Sequence, residues 1–287
     1  MHTPVLLNEV LDYLNLASGK KFIDCTLNGG GHTKAVLEKF SGVEILGIEY
    51  DPVIAAQVSK ELSVKVVNDS YINLRAIAEA GSFYPDAVLF DLGLSSWHYE
   101  SSGRGFSFQK NEPVDMRFNP MANSLTAAEI INMQPENDIC EILKEYGEEQ
   151  FAESISRAII KARQIKPIRT TLELAEIISN SVPGWYKKRK INPATKTFQA
   201  LRIAVNDELE NVKRGVAAAI DVLNPGGRLV VISFQGLEDK IVREIFKEKA
   251  KEGILKYVVR GTIRPTWTEQ QSNPRSRSAK MKVAEKT

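Results

Sequence analysis

The chain has 287 residues, 43% hydrophobic and 26% charged, with a net charge of +2. That composition suits a water-soluble protein with an ordinary packed core, and that length suits about two domains. No apolar run approaches the ~20 residues that span a bilayer, and Glu9 and Asp12 break the first apolar residues with no basic stretch ahead of them, so neither a membrane span nor a signal peptide is expected.

Four short β-rich runs occupy the first third, at 22–27, 45–48, 64–67 and 87–90, with helical stretches between them at 33–40 and 53–62. Strands that alternate with helices predict a parallel sheet covered on both faces. The rhythm then stops, and 97–120, rich in Gly, Pro, Ser and Asn, reads as a long loop. Helical signals follow. Thr126 with Glu129 and Thr170 with Glu173 form capping-box patterns, and Phe151, Ile155, Ala158, Ile159 and Ala162 make one apolar stripe. Gly147 and Pro183-Gly184 are expected helix stops. Strand patterns resume at 228–234, 255–259 and 281–284. The economical reading is one α/β domain in two parts, 1–105 and 207–287, interrupted by a helical insert at 106–206.

Cys25 and Cys140 are the only cysteines, and His2, His32 and His98 the only histidines. Neither set has the spacing of a disulfide framework or a metal site, so a cytoplasmic protein without structural metal is expected. The charge is unevenly placed. Residues 256–287 hold eight Lys/Arg against Glu269 and Glu285, and Lys187-Lys188-Arg189-Lys190 adds a second basic cluster, which leaves the rest of the chain net negative. Two basic clusters on an acidic protein suit a polyanionic partner, and equally suit a solvated loop and tail.

The first strand runs into Asn28-Gly29-Gly30-Gly31-His32 and then a helix. Glycines let the backbone approach a ligand, and a helix N-terminus offers free N–H groups to an anion. Lys34 stands where the dinucleotide fingerprint needs its third glycine, so the turn departs from that pattern. Glu49, twenty residues beyond Gly29 at the end of the second strand, stands where an acid binds ribose hydroxyls. A compact triglycine turn fits the single carboxylate of S-adenosylmethionine better than a pyrophosphate. Tyr71, just past the third strand, is placed either against an adenine or in the core.

The segments GGGH (29–32), DLGLSS (91–96), RGFSF (104–108), PVDMR (113–117), YGEEQFA (146–152), PATKTFQALRIAVNDEL (193–209), PGGRLVVISF (225–234), LED (237–239) and NPRSRSAK (273–280) together resemble the bacterial 16S ribosomal RNA cytosine-N4 methyltransferases. The match runs in order from His2-Thr3-Pro4-Val5-Leu6-Leu7 to the basic tail. The resemblance implies a class I (Rossmann-like) methyltransferase sheet with an inserted helical domain. It implies transfer of a methyl group from S-adenosylmethionine to N4 of a cytidine in the decoding region of small-subunit ribosomal RNA, free or in the assembling subunit. Carried over by position, the cofactor contacts would be Gly30, Gly31, His32, Glu49, Tyr71, Asp91 and His98. The chain departs from the family pattern at Asn28 for glycine, Glu49 for aspartate, Tyr71 for phenylalanine, Trp97-His98 for Pro-Gln and Gln235-Gly236 for His-Ser.

Methyl transfer from a sulfonium is an in-line displacement, so positioning dominates. The N4 lone pair is delocalised into the ring and needs an acceptor for its hydrogens. Asp91, at the carboxyl end of the fourth strand, is the first candidate, and its other role would be to cap the next turn. Asp115, in a loop expected to overhang the site, is the second. The target base must leave its stack, and Trp97, Tyr99, Phe106 and Phe108 are candidates to receive it, or core. Arg104 and Arg117, with Lys187–Lys190 and with Arg275, Arg277, Lys280 and Lys282 of the tail, are candidate phosphate contacts. The alternatives are an RNA-binding small-subunit assembly factor with little turnover, an NAD-dependent oxidoreductase and a DNA cytosine-N4 methyltransferase.

Overall fold

A computed structural model describes residues 4–287; His2 and Thr3 of the amino-terminal motif lie outside the described residues. The chain packs as two units: one runs to Ser95 and resumes over Leu209–Thr287, and the other is Ser96–Glu208. No helix among the described residues is long and apolar enough to cross a membrane.

The first unit is built on a seven-stranded sheet: β1 (Lys21–Asp24), β2 (Glu44–Glu49), β3 (Lys65–Asn68), β4 (Ala87–Asp91), β5 (Arg228–Ser233), β6 (Leu255–Tyr257) and β7 (Lys280–Lys286). Their order is β3-β2-β1-β4-β5-β7-β6, parallel except for β7, which runs antiparallel to both neighbours. This is the class I methyltransferase sheet. Alternation along the strands sends side chains to opposite faces. In β4, Val88 and Phe90 join a core under α4 (Leu74–Gly81), α12 (Glu208–Val222) and α13 (Gly236–Lys251). Ala87 and Leu89 join a second core under α1 (Leu7–Tyr13) and α2 (Gly31–Lys39). Every residue of β4 is buried, as a central parallel strand covered on both faces requires. The helix α3 (Pro52–Glu61) starts at Asp51, whose side chain accepts from the Val53 N–H, and α14 (Trp267–Ser272) lies between β6 and β7 in the chain.

The strand bounds shift by a residue or more from the sequence reading, and two of the shifts are instructive. β1 ends at Asp24 rather than Leu27, although Cys25 and Leu27 still donate to Leu89 and Ile48. β7 extends from Lys280 to Lys286, because its polar positions are paired: Glu285 meets Arg228 at 2.9 Å and Lys256 at 2.6 Å, and Asp239 meets Lys280 at 3.4 Å and Lys282 at 3.2 Å. Lys280 and Lys282 are therefore committed to Asp239 and leave the set of candidate phosphate contacts.

The second unit is helical: α5 (Ser96–Glu100), α6 (Ala127–Met133), α7 (Glu136–Glu145), α8 (Ala152–Ile165), α9 (Thr171–Asn180), α10 (Gly184–Lys187) and α11 (Ala194–Asn206). It starts ahead of residue 106, since part of the expected loop is the short helix α5. Both capping boxes form, with Thr126 accepting from the Glu129 N–H and Thr170 from the Glu173 N–H. A buried ion pair that the sequence pattern did not reveal closes the unit's last turn: Arg202 meets Glu208 through two contacts of 2.6 and 2.8 Å.

Candidate active site

Strand order 3-2-1-4-5 means that connections from β1 and from β4 leave in opposite directions. Open α/β sheets bind ligands in the crevice that this reversal leaves beyond the carboxyl ends of the strands. The ends of β1, β2 and β4 carry Asp24, Glu49 and Asp91, all buried.

The turn after β1 is fixed by its own side chains. Asp24 accepts from the Thr26 N–H at 3.2 Å and the Thr33 hydroxyl at 2.8 Å. The Thr26 hydroxyl in turn accepts from the Asp91 N–H at 2.6 Å, tying the end of β1 to the end of β4. Asn28 stands at φ 48° and Gly30 at φ 71°, so the asparagine takes the left-handed conformation that glycine would supply in the family pattern. The missing side chains are used by the fold: a Cβ on Gly30 would meet Leu62 at 2.6 Å, and one on Gly31 would meet Pro4 at 2.5 Å. A Cβ on Gly29 would meet nothing within 4 Å, so the turn is open at that residue. Gly31, His32 and Thr33 begin α2, where N–H groups lack partners within the helix and favour an anion.

Glu49 is engaged on both oxygens, one by the Asn28 N–H at 2.7 Å and the other by the Asp51 N–H at 2.8 Å. Burial pushes its carboxyl up to about 7 against those two hydrogen bonds. Each oxygen keeps one lone pair for a further donor. Glu49 therefore braces the glycine turn as well as standing beside it.

Asp91 differs. Burial pushes it up to about 7, and its Oδ1 is buried without a hydrogen-bond partner among the described residues. Its Oδ2 lies 3.6 Å from His32 Nδ1. His32 Nε2 is 3.0 Å from the Val5 carbonyl. A carbonyl only accepts, so Nε2 carries the hydrogen, and in a neutral imidazole Nδ1 then presents a lone pair to Asp91. Burial lowers the His32 pKa, and the charge of Asp24 opposes that. At 3.6 Å the two acceptors face one another beyond hydrogen-bond distance. Burial likewise raises Asp24, opposed by His32 and the Thr33 hydroxyl. Motif reading did not single out Asp24, Thr26 and Thr33; the Thr26 contact with Asp91 arises only where β1 and β4 lie side by side, while Asp24 with Thr33 is a contact local to the turn.

Tyr71, in a short turn after β3, is half-buried, with its ring edge-on to Phe90 at 5.4 Å and close against Gly215 of α12.

The other candidates belong to the second unit. Asp115 grips Arg117 with both oxygens at 2.7 Å. Burial would raise its pKa, and the hydrogen bonds and charge of Arg117 more than reverse this, so the carboxyl titrates below its ordinary range. Arg117 also holds the Asn123 carbonyl and Arg104 the Phe118 carbonyl. These three charged residues shape their own loop. His98 is buried among aromatic rings, with Phe106 at 5.1 Å and Phe118 at 5.2 Å, and those two phenylalanines stack on each other at 5.5 Å. Phe106 is thus core, while Trp97, Tyr99 and Phe108 are half-buried. No group of three or more His, Cys, Asp or Glu among the described residues is arranged to hold a metal.

The comparisons agree on one family. A protein of Dehalococcoides mccartyi named Ribosomal RNA small subunit methyltransferase H is 42% identical over 307 residues, covering 99% of this chain and 86% of its own. Proteins of the same name from Fervidobacterium nodosum and Persephonella marina are 42% and 39% identical, each covering 99% of this chain, and 97% and 99% of their own. The match to the family described as the MraW methylase family extends over residues 1–287, and the chain belongs to that family.

Proposed function

We propose that this protein transfers a methyl group from S-adenosylmethionine to the exocyclic N4 of a cytidine in the decoding region of 16S ribosomal RNA, free or in the assembling small subunit, in the cytoplasm. The observation that carries the reading is the buried, uncommitted Oδ1 of Asp91 at the carboxyl end of β4, beside an open glycine turn, in a chain of a methylase family.

The residues fit the cofactor by their chemistry. The first N–H groups of α2 suit its carboxylate. The remaining lone pairs of Glu49 suit ribose hydroxyls, and the buried carboxylates of Asp24 and Asp91 suit its positive charges. Gly30 and Gly31 contribute backbone only. When bound, S-adenosylmethionine supplies an electrophilic methyl on a sulfonium.

Asp91 accepts a hydrogen bond from an N4 hydrogen, which raises electron density on a nitrogen otherwise conjugated with the ring. With S-adenosylmethionine bound, N4 would gain positive charge as it takes the methyl group, and the fixed carboxylate of Asp91 would stabilise that charge. The nitrogen then sheds one proton to Asp91, with His32 Nδ1 next in line. Asp115 is the weaker candidate, since both its oxygens are taken by Arg117.

Mass spectrometry of 16S RNA from cells with and without the gene tests this: N4-methylcytidine at one decoding-region position should vanish in its absence and return when purified protein and S-adenosylmethionine are added to the undermethylated subunits. Unchanged RNA in both experiments overturns the proposal and leaves the assembly-factor alternative.

A further inference from the structure

The segment Pro183–Asn192 ends one helix of the second unit and precedes another. Its central residue is anchored: Tyr186 is buried, and its hydroxyl donates to Glu149 at 2.8 Å. Glu149 is buried too, and its other oxygen accepts from the Phe151 N–H at 2.9 Å. Around this anchor the remaining side chains point outward. Trp185 is 59% exposed and Ile191 60%, and Lys187, Lys188 and Lys190 are exposed.

Exposed tryptophan is costly, since much apolar area stays in water. This one is also held in place. Phe151 and Tyr186 each meet its ring at 5.7 Å, at interplanar angles of 62° and 87°. Neither ring lies flat on it, so no stacking partner from these neighbours covers its face. The three lysines have no ion pair or hydrogen bond of their side chains among the described residues. Arg189 is different, because its guanidinium lies over the Tyr186 ring at 5.2 Å. A rigid aromatic face beside three uncommitted cations matches the chemistry of an unpaired nucleic-acid strand, whose bases stack and whose phosphates need countercharge.

Resting on the reading above, we infer that Trp185 with Lys187, Lys188 and Lys190 forms a docking platform for single-stranded RNA of the small subunit, separate from the cofactor turn. The bases stack on Trp185, and the lysines contact phosphates. Arg189 serves to fix the turn.

The test measures binding of a fluorescent single-stranded RNA oligonucleotide to the full-length protein over a series of salt concentrations. Trp185→Ala should weaken binding roughly 5- to 100-fold, the range expected from losing one base–aromatic stack. Trp185→Phe should recover much of the loss. Replacing the three lysines with glutamine should flatten the log–log salt dependence by about 2, from ~0.7 per single-strand contact. Thermal unfolding should be unchanged in the alanine variant, because the side chain is mostly in water. Calorimetry should show S-adenosylmethionine affinity unaffected by any of these variants. Wild-type RNA affinity and salt slope in the variants would overturn the platform even if methyl transfer is intact. Weakened binding to intact subunits, with oligonucleotide binding untouched, would overturn it in favour of a protein contact. Loss of methyl transfer from wild type would strike the function reading instead, and leave the binding result to stand or fall alone.

Discussion

Asp91 is buried with Oδ1 lacking a partner among the described residues and Oδ2 3.6 Å from His32, and the consequences are measurable. Asp91 holds its proton to about pH 7, far above an ordinary aspartate. A raised carboxyl pKa means that the neutral form favours the folded state. That contribution is full below the ordinary value and is lost as pH rises toward 7. Asp91→Asn should therefore raise the thermal midpoint at about pH 8 and leave it little changed in acid. A bound cation wants the ionised form, so affinity for S-adenosylmethionine should strengthen from about pH 6 to about pH 8, and calorimetry on the asparagine variant should find that dependence reduced to the share carried by Glu49. Its single-turnover rate at saturating cofactor should fall ~10²-fold or more, as loss of a preorganised electrostatic contact does. A full rate with only weakened binding would make Asp91 a cofactor ligand and nothing more. Glu49→Ala carries a double effect. It removes the proposed ribose acceptor and also the brace on Asn28 and Asp51, so affinity should drop roughly ten- to a hundredfold, and the melting temperature should drop with it. Spacing alone located Glu49 and the glycines. It could not show that both Glu49 oxygens hold backbone, or that His32 looks toward Asp91, because those are contacts between residues far apart in the chain.

Among the elements, α12 and the turn at Tyr71 fit closely enough to be tested. Gly215 has no side chain where one would strike the Tyr71 ring, at 2.4 Å from Cδ2. Gly215→Ala should cost about 1–3 kcal/mol through overpacking, read by chemical denaturation, and Tyr71→Ala in the same chain should recover part of that loss. If the two substitutions add independently, the contact is not what the glycine serves. Strand positions were legible from apolar runs, since a covered parallel sheet writes nearly continuous hydrophobic stretches. β7 was only half legible. Its sequence alternates lysine with apolar residues, and the partner that makes Lys280 and Lys282 strand residues, Asp239, sits on α13. The stretch 97–120 is loop from 101 onward, as its composition says, but not throughout. Its glycines and prolines say loop, yet it holds α5 and a buried aromatic cluster, assembled from residues with no common period.

Across the whole molecule, the uneven charge seen in the sequence sorts into two kinds. Arg260 and Arg264 are exposed and hold no acid, whereas Lys280 and Lys282 neutralise a buried aspartate. Replacing the two arginines with glutamine should leave unfolding unchanged and flatten the salt dependence of RNA binding by up to about 1.4. Replacing the two lysines should destabilise the protein by on the order of 3 kcal/mol, because Asp239 stays buried without its partners. A tally of positive residues treats the four alike, and only the fold separates them.

The position of β7 also sets an order of events during translation. It lies between β5 and β6, so the strand that joins them is made after both of them. Until then β5 exposes a full edge and β6 has no strand beside it. Glu269, which accepts the Leu6 N–H at 2.8 Å, also arrives late. The segment at Leu6, next to the Val5 carbonyl that seats His32, thus lacks this contact until residue 269 has been made. A nascent chain halted at Ser278 should be protease-sensitive and prone to edge-to-edge aggregation, and release of the final strand should convert it to the resistant form in one step.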